Sequence, residues 1–368
     1  MKESDKKAFF ERTLDLARKG WGNTHPNPMV GALIVEEEKI VAEGYHFQAG
    51  SPHAEVEAFR ALGRAPKDGA SMFVSLEPCS TTGRTPPCVE GILNAGIKRV
   101  YIGAMDSNPS HAGRGIEILR ESGVYVEMAD EEFQTQATRL NFIFNHNITN
   151  GNPLISLKLA ESANGMLAEV KGQPSRVTED EARSEMMNWR RLFPAICVGS
   201  GTVLSDNPTL TARLADETFC PVRLVLDAPL STLEESVLPR NLYSDEYSYQ
   251  TKVLTTVLGM KNETAVKKAD EWEVSLIEMQ HDDDGRIELA ELSGVLKQLN
   301  LNAVYCEGGA SVAQSLLGED LVDYLFRYQS PKLFSGPAAL PGPDLDALTL
   351  RDPITAKLGE DRLTHGFL

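Results

Sequence analysis

The 368-residue chain carries 36 Lys plus Arg against 53 Asp plus Glu, a net charge of −17, which argues against a broad nucleic-acid surface and favours a small substrate. Hydrophobic content of 42% and charged content of 24% are those of a globular protein, and the length predicts two domains. No stretch approaches the ~20 apolar residues of a membrane span, and the opening Met1-Lys2-Glu3-Ser4-Asp5-Lys6-Lys7 is unlike a signal peptide, so the expected location is the cytoplasm.

Phe9, Thr13 and Leu16, with Phe10, Leu14 and Ala17, recur at helical spacing and predict a helix over 5–19 that Gly20 stops. In His25-Pro26-Asn27-Pro28-Met29-Val30-Gly31 two prolines fix an extended backbone around Asn27, whose amide suits either the hydrogen-bonding edge of a heterocycle or a turn. Strand-like runs at 30–35 and 40–45 predict a hairpin across Glu36–Lys39, and His46 lies at the exit of the second strand.

The densest chemistry lies between positions 53 and 88. His53, Cys79 and Cys88 supply the three imidazole and thiolate ligands of a catalytic zinc and leave a fourth position for water. Glu55 is then the spare acid, placed to carry a proton to a departing amine as in zinc-dependent base deaminases. In mid-helix, residues two apart diverge by about 200°, so His53 and Glu55 converge only in a first helical turn. Pro52 and the apolar run Val56, Phe59, Leu62 predict a helix starting there. Cys79 follows a strand at 70–76, and Cys88 follows Pro86-Pro87 in a helix over 87–95, so two helix starts face one ion. A Cys79–Cys88 disulfide is the competing reading; it needs an oxidising compartment and leaves His53-x-Glu55 unexplained. The cysteines stand eight residues apart where the short deaminase signature has two, and the polar interval carries Arg84, within reach of an anionic substrate.

A strand at 98–103, a helix at 115–122, a strand at 124–128 and a helix at 130–147 continue the alternation, which predicts an α/β layer fold with a partly parallel sheet. The polar, turn-rich stretch Asn145–Pro153 marks a boundary, giving domains at 1–150 and 151–368. The second domain opens with a strand at 154–160 whose one charge, Lys158, reads as an edge gatekeeper or a site residue. Thr178 and Glu181 have the spacing of a capping box and predict a helix over 179–192. A strand at 195–198 runs into Gly199-Ser200-Gly201-Thr202, and one at 303–306 runs into Glu307-Gly308-Gly309-Ala310-Ser311 before a helix. Exposed backbone N–H groups at such turns bind phosphate, and two of them point to a dinucleotide, although neither is the Gly-x-Gly-x-x-Gly fingerprint. Strands at 223–227, 252–257, 273–277 and 321–328 and helices at 263–271 and 287–299 complete the domain, with 280–286 as a surface loop. Cys197, Cys220 and Cys306 read as reduced structural thiols.

With these stretches placed, the chain resembles the bifunctional riboflavin-biosynthesis deaminase/reductase family over nearly its full length. In the first half the resemblance is carried by His25-Pro26-Asn27-Pro28-x-Val30-Gly31, Gly44-Tyr45-His46, His53-Ala54-Glu55, Leu76-Glu77-Pro78-Cys79-Ser80, Gly83-Arg84-Thr85-Pro86-Pro87-Cys88 and Asn108-Pro109. In the second half it is carried by Lys158-Leu159-Ala160, Gly199-x-Gly201-Thr202-Val203-Leu204-x-Asp206-Asn207-Pro208, Leu210-Thr211-x-Arg213 and Glu307-Gly308-Gly309. It implies two three-layer α/β domains, one cytidine-deaminase-like with zinc and one dihydrofolate-reductase-like with NADPH. The implied chemistry is deamination of 2,5-diamino-6-ribosylamino-4(3H)-pyrimidinone 5′-phosphate, followed by reduction of its ribosyl group to ribityl. The implied roles are zinc ligation by His53, Cys79 and Cys88, proton transfer by Glu55, and pyrimidine contact by Asn27 and His46. Arg84, Arg213 and Glu307 are expected at the substrate, Lys158 and Asp206 in reductase catalysis, and Ser162, Gly199, Gly201, Thr202, Gly308 and Gly309 at the cofactor. A homo-oligomer, dimer or tetramer, is expected, with no nucleic-acid or membrane partner. Thr81 and Thr82 depart from the family pattern, in which histidine is usual after the serine; Asn164 stands for an aspartate and Arg176 for a tryptophan. A deaminase whose second domain has lost hydride transfer is the alternative.

Overall fold

The structure, a computed structural model, describes residues 1–81, 86–109, 111–234 and 240–368. The chain divides into two compact units, Met1–Asn152 and Pro153–Leu368.

The first unit runs α1 (Glu3–Arg18), β1 (Gly31–Glu36), β2 (Lys39–Tyr45), α2 (Ala54–Leu62), β3 (Ser71–Leu76), α3 (Cys88–Asn94), β4 (Arg99–Ala104), α4 (Arg114–Glu121), β5 (Tyr125–Met128), α5 (Glu131–Leu140) and α6 (Phe142–Asn150). Its sheet has the order β2-β1-β3-β4-β5, antiparallel through β3 and parallel from β3 to β5. Side chains alternate across the pleat. Ala32, Ile34, Met72, Val74, Val100 and Ile102 pack under α2, α3 and α4, whereas Leu33, Val35, Phe73 and Tyr101 meet α1 and α5, which makes three layers. The hairpin and α2 approach so closely that a Cβ on Gly44 would stand 2.3 Å from the Ala54 carbonyl. That contact fixes the start of α2 against the sheet. The single helix expected over 130–147 is broken at Asn141, whose Oδ1 accepts from Met29 N–H (2.7 Å) and whose Nδ2 donates to Met29 O (2.9 Å). The amide thereby ties the α5–α6 corner to the Asn27–Val30 segment. The stretch read as a boundary lies partly inside α6, which ends at Gly151 with φ of 69°.

The second unit runs β6 (Leu154–Glu161), β7 (Met166–Ala168), α7 (Asp180–Leu192), β8 (Ala195–Gly199), α8 (Ser200–Asp206), β9 (Ala212–Arg213), β10 (Thr218–Phe219), β11 (Val222–Leu226), α9 (Asn241–Ser244), β12 (Thr251–Thr256), α10 (Glu263–Glu271), β13 (Ser275–Met279), α11 (Leu292–Gln298), β14 (Ala303–Cys306), α12 (Ala310–Gly318), β15 (Tyr324–Gln329), β16 (Leu340–Pro341), β17 (Arg351–Leu358) and β18 (Asp361–Phe367). Nine strands form its main sheet in the order β13-β12-β11-β8-β14-β6-β15-β18-β17, parallel as far as β15 and antiparallel beyond. One face packs under α11 and α12, the other under α8, α9 and α10. Lys158 is therefore on an interior strand, between β14 and β15, which removes the edge-gatekeeper reading. Cys197 and Cys306, far apart in sequence, are register partners on adjacent strands, and all five cysteines are free thiols.

The cap of α7 differs from the expectation. Glu179, not Thr178, is the N-cap, and its N–H donates to Asp361 Oδ2 (2.7 Å) from the start of β18. A long-range carboxylate takes the N-cap N–H, the bond that a capping box assigns to its own glutamate. Asp361→Ala should therefore cost about 1 kcal/mol, the usual worth of a cap, seen as a lower thermal midpoint for the second unit with both activities intact.

Candidate active sites

His53 is the N-cap of α2 with extended backbone, Glu55 lies in that helix's first turn, and Cys88 is the first residue of α3. Cys79 sits in the connection after β3, where its carbonyl accepts from Val89 N–H (3.3 Å) and its sulfur accepts from Cys88 N–H (3.3 Å). His53 Nδ1 stands 3.2 Å from Cys88 Sγ and 3.5 Å from Cys79 Sγ, and the three ligand atoms all lie within 4.8 Å of one another. Nitrogen and sulfur bound to one tetrahedral zinc stand about 3.5 Å apart, so the residues present fit the ion. The thiols fit it chemically as well. Cys88 donates toward Cys79 and brings the Cys79 thiol down to about 4, while the Cys88 thiol is driven up by the same contact and by burial.

Glu55 is 3% exposed, and burial followed by the Cys79 charge raises its carboxyl above the usual range. It shares a cavity of about 190 Å³ with Asn27, His46, His53, Cys79, Asp106, Asn108, His111 and Phe144. His46 Nδ1 donates to Pro52 O (3.0 Å), which leaves Nε2 to accept from Asn27 Nδ2 (3.1 Å). That chain fixes the tautomer, and burial lowers the His46 pKa, so the ring is neutral and both its nitrogens are engaged. Below the cavity, Glu77 accepts from the N–H groups of Gly115 (2.8 Å), Gly113 (2.9 Å), Asp106 (3.2 Å) and Ile116 (3.3 Å). It locks the turn that carries Asp106, Asn108 and His111 to the strand end that carries Cys79.

A second cavity, of about 390 Å³, lies in the second unit at the carboxyl ends of β6, β8 and β14. Lys158, Glu307, Arg190, Arg183, Asp206 and Arg213 line it, with Thr202, Gly308 and Gly309. Glu307 receives Arg190 in a two-pronged contact (Nε 2.6 Å, Nη2 3.0 Å), and Lys158 Nζ stands 3.7 Å from its Oε2. Burial opposes the Glu307 charge, but Arg190 and then Lys158 outweigh it and hold the carboxyl at about 2. Burial lowers the Lys158 pKa against the pull of Glu307. The strand-to-helix turns after β8 and β14 lie side by side, as their strands do. A −17 chain thus gathers cations around one enclosed space, which suits a phosphorylated ligand.

Comparison with known proteins assigns both units. The cytidine and deoxycytidylate deaminase zinc-binding region matches residues 3–104, and the RibD C-terminal domain matches residues 153–364. Riboflavin biosynthesis protein RibD of Bacillus amyloliquefaciens is 38% identical over 331 residues, covering 90% of this chain and 86% of that one. The chain belongs to the RibD family. The RibD of Aquifex aeolicus is 35% identical over 365 residues, 98% of each chain. Among solved structures, Acinetobacter baumannii RibD superposes with a TM-score of 0.78 at 29% identity, over 99% of both chains. The Thermotoga maritima diaminohydroxyphosphoribosylaminopyrimidine deaminase/5-amino-6-(5-phosphoribosylamino)uracil reductase gives 0.79 at 28% identity, over 98% of both. This RibD chain is accordingly a bifunctional enzyme of riboflavin biosynthesis, with a zinc-dependent deaminase unit and a reductase unit that uses a nicotinamide cofactor. Among its described residues no helix is long and apolar enough to cross a membrane.

Several expected site residues of this RibD chain fall elsewhere. Ser162 does not line the cavity; it is 1% exposed, and its hydroxyl donates to Asn164 Oδ1 (2.8 Å) and accepts from Met166 N–H (3.0 Å). Asn164 Nδ2 donates to Phe334 O (2.7 Å) while its Oδ1 accepts from Phe334 N–H (3.1 Å), a two-way contact that an ionised aspartate could not make. Gly199 and Gly201 are absent from the cavity lining. Gly199 and Gly308 answer a packing demand, since a Cβ would meet the Val312 side chain at 2.8 and 2.5 Å. Arg176 lies at the rim with its guanidinium on Asp180 (2.8 Å) and Glu179 (3.4 Å). Arg213 Nη1 is on Thr209 and Thr211 hydroxyls, and Asp206 ends α8. Arg84 and Thr82 lie outside the described residues. Thr81 Oγ1 is 3.4 Å from His111 Nε2. Arg190, Arg183, Asp106 and His111 were not singled out from sequence. Arg190 alone left a legible signal, as a charge near the end of a helix feeding a buried strand.

Proposed function

We propose that the first unit converts 2,5-diamino-6-ribosylamino-4(3H)-pyrimidinone 5′-phosphate to its deaminated product, and that the second reduces the ribosyl group to ribityl with NADPH. The convergence of His53 Nδ1, Cys79 Sγ and Cys88 Sγ beside buried Glu55 carries the reading. When bound there, zinc supplies Lewis-acid activation of water at neutral pH. Glu55 takes a proton from the attacking water and returns it to the leaving ammonia, while Asn27 and His46, fixed by each other, present the pyrimidine with a rigid polar edge. In the second unit Lys158, Glu307 and Asp206 line the cavity where the sugar is placed, and Arg213 and Arg190 supply charge for its phosphate. Lys158, held by Glu307, donates to a sugar oxygen beside the carbon that receives hydride. Thr202, Gly308 and Gly309 offer NADPH the paired helix starts. We place the enzyme in the cytoplasm as a homo-oligomer, dimer or tetramer, with the two activities divided between residues 1–150 and 151–368.

The test is incubation of the wild type with the pyrimidine substrate, with and without NADPH, followed by mass analysis. Without cofactor the product should carry oxygen in place of the amine; with NADPH it should gain two further hydrogens. Cys88→Ser should lose zinc and the first step together. A wild type that stops at the deaminated product with NADPH present would leave a deaminase with an inactive second unit.

A further inference from the structure

The deaminase cavity contains acids and imidazoles but, among its described lining residues, no lysine or arginine. A ligand that ends in a phosphate must nevertheless find a hydrogen-bond donor there. His53 is committed to the thiolates, and both nitrogens of His46 are engaged. His111 is different. Its Nε2 meets the Thr81 hydroxyl at 3.4 Å, a long and weak contact, while its Nδ1 is buried without a hydrogen-bond partner among the described residues. Buried polar atoms without partners are rare in folded proteins, and one on a cavity wall calls for a ligand atom.

The backbone under His111 is rigid. His111 N–H donates to Asn108 O (2.8 Å), Arg114 N–H donates to His111 O (2.8 Å), and Glu77 binds the N–H groups that flank this turn. The backbone that carries the ring is thus held in place by the fold, and the ring has one buried nitrogen open to a ligand atom. We propose that His111 is a substrate-positioning residue of the deaminase site and that its Nδ1–H donates to the phosphate of the substrate. With the proton on Nδ1, Nε2 is the acceptor that faces the Thr81 hydroxyl. This role rests on the phosphorylated pyrimidine being the substrate.

The test uses the zinc-loaded full chain and compares the phosphorylated substrate with its dephosphorylated form. His111→Leu should raise KM for the phosphorylated substrate about 20-fold, the worth of one hydrogen bond to a charged group, with kcat little changed and zinc content and reductase activity at wild-type levels. His111→Asn keeps an N–H donor near the Nδ1 position and should restore most of the affinity; His111→Gln, which reaches the Nε2 position instead, should not. With the dephosphorylated substrate all four proteins should have the same KM. Unchanged KM in His111→Leu, or an equal change with both substrates, overturns the assignment. Should His111→Leu lose zinc or fail to fold, the Asn and Gln variants decide, and equal KM in those two overturns it as well. A wild type that turns over neither substrate overturns the proposed substrate, and this role with it.

Discussion

Glu55→Gln should lower deamination by about 10³-fold, the middle of the range for a lost proton carrier, while zinc content and the reduction of supplied intermediate remain at wild-type levels. Glu55 lies in the first turn of α2 beside His53, 3% exposed, and faces the cavity that holds Asn27 and His46. Glutamine keeps its size and its contacts but cannot take up or return a proton, so the variant isolates that one role. Metal analysis, single-turnover deamination and NADPH oxidation on the same preparation check all three expectations. Zinc loss in Glu55→Gln would make the residue a ligand or a support for one; retained activity would remove it from catalysis.

The second large effect is expected in the other unit. Glu307→Gln leaves Arg190 and Lys158 as two buried cations without their shared counterion, an arrangement that costs about 3–5 kcal/mol when one partner of a buried pair is removed. The unfolding transition of the second unit should fall sharply and reduction should cease, while the first unit keeps its zinc and its deamination. The pH dependence has a definite sign. The Glu307 carboxyl is held at about 2 when folded and titrates near ~4.3 when unfolded, so its contribution is complete above that range and is lost as the pH falls toward 2. The wild type should therefore lose stability through that window more steeply than the variant, which has no such group to protonate. Thermal unfolding of both proteins across the acid range checks the slope. Equal slopes would show that Arg190 and Lys158 do not stabilise the carboxylate.

The convergence of His53, Cys79 and Cys88 was legible because each sits at an element boundary that the sequence announces: Pro52 before His53, the apolar strand before Cys79 and Pro86-Pro87 before Cys88. The alternating strands and helices of both units were legible for the same reason, since period and punctuation are local. What sequence did not reveal was held by contacts across long separations. Asn141 breaks a helix because Met29 offers both of its backbone groups, and Asp361 caps a helix that begins 182 residues earlier. The C-terminal hairpin β17–β18 escaped notice because β17 is mostly exposed, opens with Arg351-Asp352-Pro353 and carries a register shift there, which hides its alternation. Ser162 was placed at the cofactor from motif position alone; its hydroxyl is spent within its own turn.

Glu77 bears on how the inter-cysteine interval tolerates its length. Cys79 is anchored through the carboxylate of Glu77 and the four amides it collects, and Cys88 is anchored as the first residue of its own helix. The two cysteines are then tied together through the backbone, since the Cys88 N–H donates to Cys79 Sγ and the Val89 N–H donates to the Cys79 carbonyl. The spacing of the two cysteines is thus set by contacts that lie outside residues 82–85. Insertions or deletions there can reshape what the enzyme accepts as substrate while the metal geometry is inherited unchanged.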